Sequence, residues 1–342
     1  MQLFKRQQTR LLCFILLLIA VLMLCNRLLV KTDTSRYLML EELQGEEGFQ
    51  IAFVGSSPVY YSIDPDIIEK DTGFKSIDAA IGNAGLESCG ALVNTFLRKE
   101  SAQMVILTLE PQMLIEEIEN PEAEVRLMPG LHHLRDKAVY LWDLCRTDQR
   151  WMSRLFYFRS LPVSSWDDFV KTLTIKYRTE QYRLRMESEL SDTPYRGKGY
   201  HEMLLVPPEG GLAQNRSFVQ GNDHIEELPM INKDRILKMA RNCAARNIRF
   251  VIVIPPCLKE YIYSQPHYME ACLLLEQFCQ ENQIRFYNLM QVKTELLPGL
   301  QERYVDIYHF DHIGAEIYSR FMGQFILAMT EDASIEDWFR KE

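Results

Sequence analysis

What most constrains this chain is a short apolar run that recurs along its length, alternating with segments of helical period. Gln50-Ile-Ala-Phe-Val-Gly55 is compact, rich in β-branched and aromatic residues, and closed by glycine. A strand buried on both faces reads this way, because neither side of the pleat meets water. Residues 74–78, 103–109, 248–254 and 284–289 repeat the pattern. Helical periodicity marks residues 86–98, 233–245, 269–282 and 315–329, between or after those runs. Strands alternating with helices predict an α/β fold built on a doubly wound parallel sheet. Residues 112–230 break the rhythm. They hold Trp142, Trp151 and Trp166, the pair His132-His133, and a loop-like Pro207-Pro208-Glu209-Gly210-Gly211. They read as a large, partly helical insertion between the third and fourth core strands, of the kind that shapes a cleft or a partner surface.

The amino terminus obeys different rules. Lys5, Arg6 and Arg10 precede an uncharged apolar run over residues 11–25, followed by Asn26, Arg27 and three more apolar residues. That run alone is short for a membrane span, but Arg27 can snorkel and extend the usable segment to residues 11–30. No small-residue cleavage site comes after it, and Cys25 is preceded by the bulky Leu22, Met23 and Leu24. The expectation is an uncleaved transmembrane anchor at 11–30, with residues 1–10 as a cytoplasmic tail. Positive charge also lies beyond the run, at Arg27, Lys31 and Arg36. A short basic leader usually stays in the cytoplasm, which places the large domain outside. Residues 31–48, with Glu41, Glu42, Glu46 and Glu47, read as a linker, and 49–335 as the α/β domain.

Composition removes some functions. A net charge of -9 with no clustered Lys and Arg argues against nucleic acid as a partner. The 8 cysteines form no C-x-x-C pair and no regular framework, so buried free thiols are expected rather than a zinc site. No cofactor is indicated.

Two motifs carry chemistry. Gly55-Ser56-Ser57 comes after the first strand, on the edge of the sheet where doubly wound folds bind ligands. The glycine allows a tight turn, and Ser57 would present a hydroxyl and a backbone N–H near the next helix, as a nucleophile requires. Either serine could instead serve only as a cap for the next helical turn. The second motif, Asp306-Ile-Tyr-His309, precedes the last helix. At that spacing a turn lets the carboxylate accept from one imidazole nitrogen and leaves the other to face a serine. Asp311 and His312 form a rival pair, although adjacent side chains diverge. His309, Asp311 and His312 could also approach a metal, but without a distant fourth ligand. Asp311 also suits a helix cap.

Together the motifs resemble the SGNH (GDSL-type) hydrolase superfamily, and within it the membrane-anchored bacterial branch of DltD-like and alginate-acetylation proteins. The family's Gly-Asp-Ser corresponds to Gly55-Ser56-Ser57. Its Asp-x-x-His with a glycine shortly beyond corresponds to Asp306, His309 and Gly314. The likeness covers about 50–110 and 230–330. It implies a flavodoxin-like sheet, Ser57 as nucleophile, His309 as base and Asp306 as its orienting partner. It also implies an oxyanion hole from the amides of Ser57 and Gly82, with Gly85 close behind. Both glycines could equally serve the turn into the next helix. The family's asparagine donor is missing: the third strand runs into Thr108-Leu-Glu-Pro-Gln112, leaving Asn83 or Gln112 as substitutes.

The resemblance implies an esterase or acyltransferase acting on an acylated cell-envelope glycan or teichoic-acid-like polymer. A multi-pass membrane O-acyltransferase is its implied partner. The missing asparagine favours a second reading, a catalytically weak accessory or binding subunit that presents the 112–230 insertion.

Overall fold

Each apolar run becomes a strand whose alternate side chains feed two separate cores. In the computed structural model, residues 2–30, 34–45, 48–115, 127–147, 162–178, 192–207, 225–264 and 267–340 are described. The strands are β1 (Ile51–Gly55), β2 (Ser76–Ala80), β3 (Met104–Thr108), β4 (Tyr195–Gly197), β5 (Tyr200–His201), β6 (Arg249–Ile254) and β7 (Arg285–Asn288). Five of them form one parallel sheet in the order β2-β1-β3-β6-β7. Ala52, Val54, Val105, Leu107, Ile252 and Ile254 join one core, and Ile51, Phe53, Met104, Ile106, Val251 and Val253 the other. Period-two alternation therefore gives the sheet two dry faces, which explains why the runs carry no polar stripe.

Helices cover both faces. Thr34–Gln44, Leu86–Phe96, Leu134–Thr147, Met230–Ala244 and Tyr268–Glu281 contribute to the first core, and Pro65–Thr72 and His312–Thr330 to the second. The chain leaves β1 for β2 on one side and returns past it to β3 on the other. The crevice beyond the carboxyl ends of β1 and β3 is thus the place where such a sheet opens to a ligand. The β4–β5 hairpin lies against the outer edge of β2, where the Asp78 N–H donates to Lys198 O at 2.8 Å. That contact covers an otherwise open strand.

Two expectations need correction or completion. Residues 31–48 are not simply a linker: Thr34–Gln44 is a helix that buries Leu38, Met39, Leu40 and Leu43. Leu38, Met39 and Leu40 are consecutive rather than spaced along one face, and Glu42 is buried with them, so the segment shows no helical apolar stripe; its helix is held by docking on the core. Within 112–230, the described part comprises the Leu134–Thr147 and Trp166–Tyr177 helices and the hairpin; Trp151 and residues 208–211 lie outside the described residues. The inserted Leu134–Thr147 helix is tied to the core through buried Arg235. This side chain meets Glu87 at 3.2 Å and Asp143 at 3.4 Å, linking three helices.

The Gln2–Leu28 helix contains a 23-residue stretch, Arg6–Leu28, long and apolar enough to cross a membrane. Its end is held by the Trp166–Tyr177 helix: Arg27 Nε donates to the Tyr177 hydroxyl at 3.0 Å, and Lys176 Nζ to Arg27 O at 2.8 Å. Cys89, Cys243, Cys257, Cys272 and Cys279 are buried and not in disulfides. Burial pushes the last four of these up to about 12, so they stay protonated.

Candidate active site

The sheet brings the two motifs to one edge. Gly55 ends β1 where the chain turns sharply, and only glycine fits there. A Cβ would stand 2.7 Å from Thr108 O and 2.8 Å from Val59 Cγ2. The turn leads at once into the one-turn helix Ser57–Tyr60, which Pro58 favours near its start. Ser57 is therefore directed across the crevice at the carboxyl end of β1. It is buried, 8% exposed, rather than presented openly to solvent.

Its partner arrives from the far end of the chain. Residues 303–311 form a tight loop, closed by Val305 N donating to His309 O (2.9 Å) and Asp311 N to Arg303 O (2.8 Å). The loop is pinned to the last helix by Gly314, where a Cβ would meet Arg303 Cβ at 2.7 Å and Phe310 Cβ at 2.8 Å. Within it, Asp306 Oδ1 accepts from the backbone N–H groups of Tyr308 (2.9 Å) and His309 (2.8 Å). Asp306 Oδ2 lies 2.6 Å from His309 Nδ1. The other ring nitrogen, Nε2, lies 2.9 Å from Ser57 Oγ, although 252 positions separate the two residues. The imidazole is packed between Tyr308 and Tyr61, at ring-centroid distances of 4.0 and 5.0 Å.

Electrostatics fix the proton positions. Partial burial pushes the Asp306 carboxyl up, but the hydrogen bond and charge of His309, with the two backbone N–H groups, outweigh it and hold Asp306 below its usual value. An ionised Asp306 only accepts, so Nδ1 carries the proton and Nε2 is left to accept from the Ser57 hydroxyl. The three side chains form a contact relay, from Ser57 through His309 to Asp306, at the distances that general-base activation would need.

The rival roles resolve by contact. Asp311 caps the His312–Thr330 helix, accepting from Gly314 N at 2.7 Å, and faces Arg303 at 3.5 Å. The side chain of His312 is exposed. Ser56 makes no cap; its hydroxyl donates to Glu110 Oε1. Glu110 lies just beyond β3, where the resemblance calls for asparagine, and its other oxygen accepts from the Tyr261 hydroxyl at 2.5 Å. Gly82 and Asn83 lie in the turn after β2, beside the Ser57 turn, with Ile81 N donating to Gly55 O at 3.2 Å. Asn83 is exposed and left-handed at φ 56°.

Sequence reasoning missed a cavity of about 210 Å³ that adjoins the relay and is lined by Arg36, Tyr60, Tyr61, Gly82, Thr193 and His201. Tyr61 joins the two, packing on His309 and lining the cavity. The tyrosine pair shortly after Ser57 was the one visible signal. Arg36 and His201 stood in segments read as linker and insertion.

No protein-family model matches the chain, and no curated protein matches it. Among solved structures it is similar to a Bacteroides fragilis protein described as a candidate acylhydrolase, at 11% identity and a TM-score of 0.38, over 87% of this chain and 99% of that one. It is also similar to a Streptococcus pneumoniae protein described as a candidate platelet activating factor, at 10% identity and a TM-score of 0.39, over 90% and 98% of the two chains. Likenesses this distant decide neither the fold nor the chemistry, which rest on the geometry of the sheet and the relay.

Proposed function

We propose that this chain is a membrane-anchored serine esterase or acyltransferase of the SGNH type, with its α/β domain outside the cytoplasm. The observation behind this reading is the contact chain from Ser57 Oγ to His309 Nε2 (2.9 Å) and from His309 Nδ1 to Asp306 (2.6 Å). Ser57 Oγ attacks an acyl carbonyl while its proton passes to His309 Nε2. Asp306 holds the imidazolium that results. The backbone N–H groups of Ser57 and Gly82, with Asn83 nearby, receive the tetrahedral oxyanion. Collapse of the intermediate expels the alcohol, which takes the proton from His309. Water or a sugar hydroxyl then accepts the acyl group by the same steps in reverse. The substrate class is acyl esters of a cell-envelope glycan or teichoic-acid-like polymer, and a multi-pass membrane O-acyltransferase is the proposed partner.

Labelling with a fluorophosphonate probe tests the chemistry. Wild type labels, Ser57→Ala does not, and His309→Ala labels far more slowly. Absence of labelling in folded wild type would instead support the second reading, a catalytically weak accessory subunit. One observation favours that reading: Glu110, fixed by Ser56 and Tyr261, stands where the family's asparagine donor belongs.

A further inference from the structure

The cavity beside the relay gathers groups that lie far apart in sequence. Arg36 comes from the Thr34–Gln44 helix, Tyr60 and Tyr61 come from the end of the Ser57 turn, and His201 comes from the β4–β5 hairpin. All face Gly82. Arg36 Nη2 lies 3.8 Å, and the Tyr60 hydroxyl 2.9 Å, from the point a Cβ on Gly82 would occupy. The guanidinium is therefore directly beside the turn that would hold the oxyanion.

Arg36 Nη1 is buried, and no hydrogen-bond partner reaches it among the described residues. A guanidinium stays charged in any protein setting, and a buried donor with no acceptor is costly to keep. Carboxylates on the same elements are engaged elsewhere. Glu42 accepts from the Tyr195 hydroxyl at 2.6 Å, and Glu202 from Arg196 at 2.7 Å. His201 is held in place: its Nδ1 donates to Thr193 O at 3.3 Å, and its ring is packed by Tyr60, Tyr61 and Tyr195 at 5.2, 6.0 and 5.2 Å. At about 210 Å³ the cavity far exceeds the roughly 10–15 Å³ one water needs. It is a preorganised polar chamber whose cation meets no anion among the described residues.

We propose that this cavity binds an anionic group of the substrate, a phosphate or carboxylate lying near the ester that Ser57 attacks, with Arg36 as its principal cation. The proposal rests on the esterase reading for the position of the ester, while the anion chemistry rests on the cavity alone. Arginine suits the task because its planar fork meets two oxygens of either anion at once. The substrate thus carries its negative charge on the side of the relay nearest the amino-terminal helices.

The test uses the full chain in detergent micelles and has two independent arms. In the first, kcat/KM is compared for the acetyl esters of glycerol, glycerol 3-phosphate and lactate, which are neutral, phosphate-bearing and carboxylate-bearing. Wild type prefers an anionic ester, and whichever anion it prefers identifies the class. Arg36→Ala reduces that preference roughly 10- to 100-fold, the usual weight of a hydrogen-bonded charge, and Arg36→Lys retains part of it. Equal kcat/KM for neutral and anionic esters in wild type, or a preference untouched by Arg36→Ala, overturns the proposal. The second arm measures binding of inorganic phosphate and of acetate by calorimetry, with no turnover required. Binding that Arg36→Ala weakens supports the cavity even if no ester is cleaved, in which case the esterase reading alone falls. If wild type binds neither anion, the cavity proposal falls whatever the esterase activity. Arg36→Lys serves as the folded control should the alanine variant misfold.

Discussion

Replacing Asp306 with asparagine separates the shape of the site from its charge. The carboxylate accepts three hydrogen bonds: Oδ1 from the N–H groups of Tyr308 and His309 at 2.9 and 2.8 Å, and Oδ2 from His309 Nδ1 at 2.6 Å. An asparagine has one acceptor oxygen, and the two backbone donors require it at the Oδ1 position. The amide NH₂ then faces Nδ1, which must accept, so the imidazole proton moves to Nε2. That nitrogen now donates toward Ser57 and can no longer take its proton. In the serine protease relay, where this tautomer switch has been isolated, kcat falls about 10⁴-fold, or roughly 5.4 kcal/mol of barrier. Stability changes little, by about 1 kcal/mol or less, because two of the three bonds survive and the Asp306 side chain is 46% exposed. Asp306→Ala loses all three bonds, so it should be comparably inactive and also less stable. Turnover of p-nitrophenyl acetate and fluorophosphonate labelling report the first effect, and denaturant unfolding reports the second. If Asp306→Asn keeps more than about one-hundredth of wild-type turnover while Ser57→Ala is inactive, the assignment of Asp306 as the group that sets the tautomer is wrong.

Other contacts give further expected outcomes. Gly55→Ala places a Cβ 2.7 Å from Thr108 O, so the turn must open; a loss of about 1–3 kcal/mol in urea unfolding is expected, with loss of Ser57 labelling. Arg235→Met removes the buried guanidinium that meets Glu87 and Asp143, leaving Asp143 only Arg146, at 3.9 Å, among the described residues, and a melting experiment should show about 3–5 kcal/mol of destabilisation. Burial, then the nearby Asp64 charge, holds the Asp78 carboxyl well above its usual value, so the folded protein keeps a proton that the unfolded chain releases near pH 4. The contribution of this group to stability should therefore be fullest below about pH 4 and decline as pH rises. Asp78→Asn should flatten that slope, and its gain over wild type should be larger at pH 8 than at pH 4.

A feature is legible in sequence when physics forces a local pattern. The central strands 51–55 and 104–108 were legible because a strand buried on both faces has no polar residue to interrupt it, whereas β2 carries Ser76 and Asp78 and β7 carries Arg285 and Asn288, so their signal was weaker. That Ser57, Asp306 and His309 meet was legible because a sharp turn needs Gly55 and a close helix approach needs Gly314, and both leave glycine as a marker; their catalytic roles stay a proposal. The cavity was not legible. Arg36 gains its place only when Leu38, Met39, Leu40 and Leu43 dock on the core, and a segment without a helical apolar periodicity looks like a solvated linker. His201 depends on the β4–β5 hairpin reaching the edge of β2, a long-range contact with no local signature. Glu110 could be seen as a departure from the family pattern, but its bonds to Ser56 and Tyr261 could not.

The helix that carries Arg36 also bears on how the site meets its substrate. On the anchored reading, the bilayer ends near Leu28, and the stretch from there to Arg36 spans at most about 29 Å even when fully extended at about 3.6 Å per residue. The first helix is moreover fastened to the domain, through Arg27 to Tyr177, Lys176 to Arg27 O, and Val163 N to Leu29 O at 2.9 Å. A fastened anchor holds the relay at one distance from the membrane, whereas a flexible stalk would let it sweep through a range. Such a site suits esters presented close to the bilayer better than esters far out along a polymer. Breaking the clasp with Lys176→Ala and Tyr177→Phe together should therefore leave turnover of a soluble ester in micelles unchanged and alter turnover of a lipid-tethered ester in vesicles. Equal effects on both substrates would show that the clasp merely stabilises the fold.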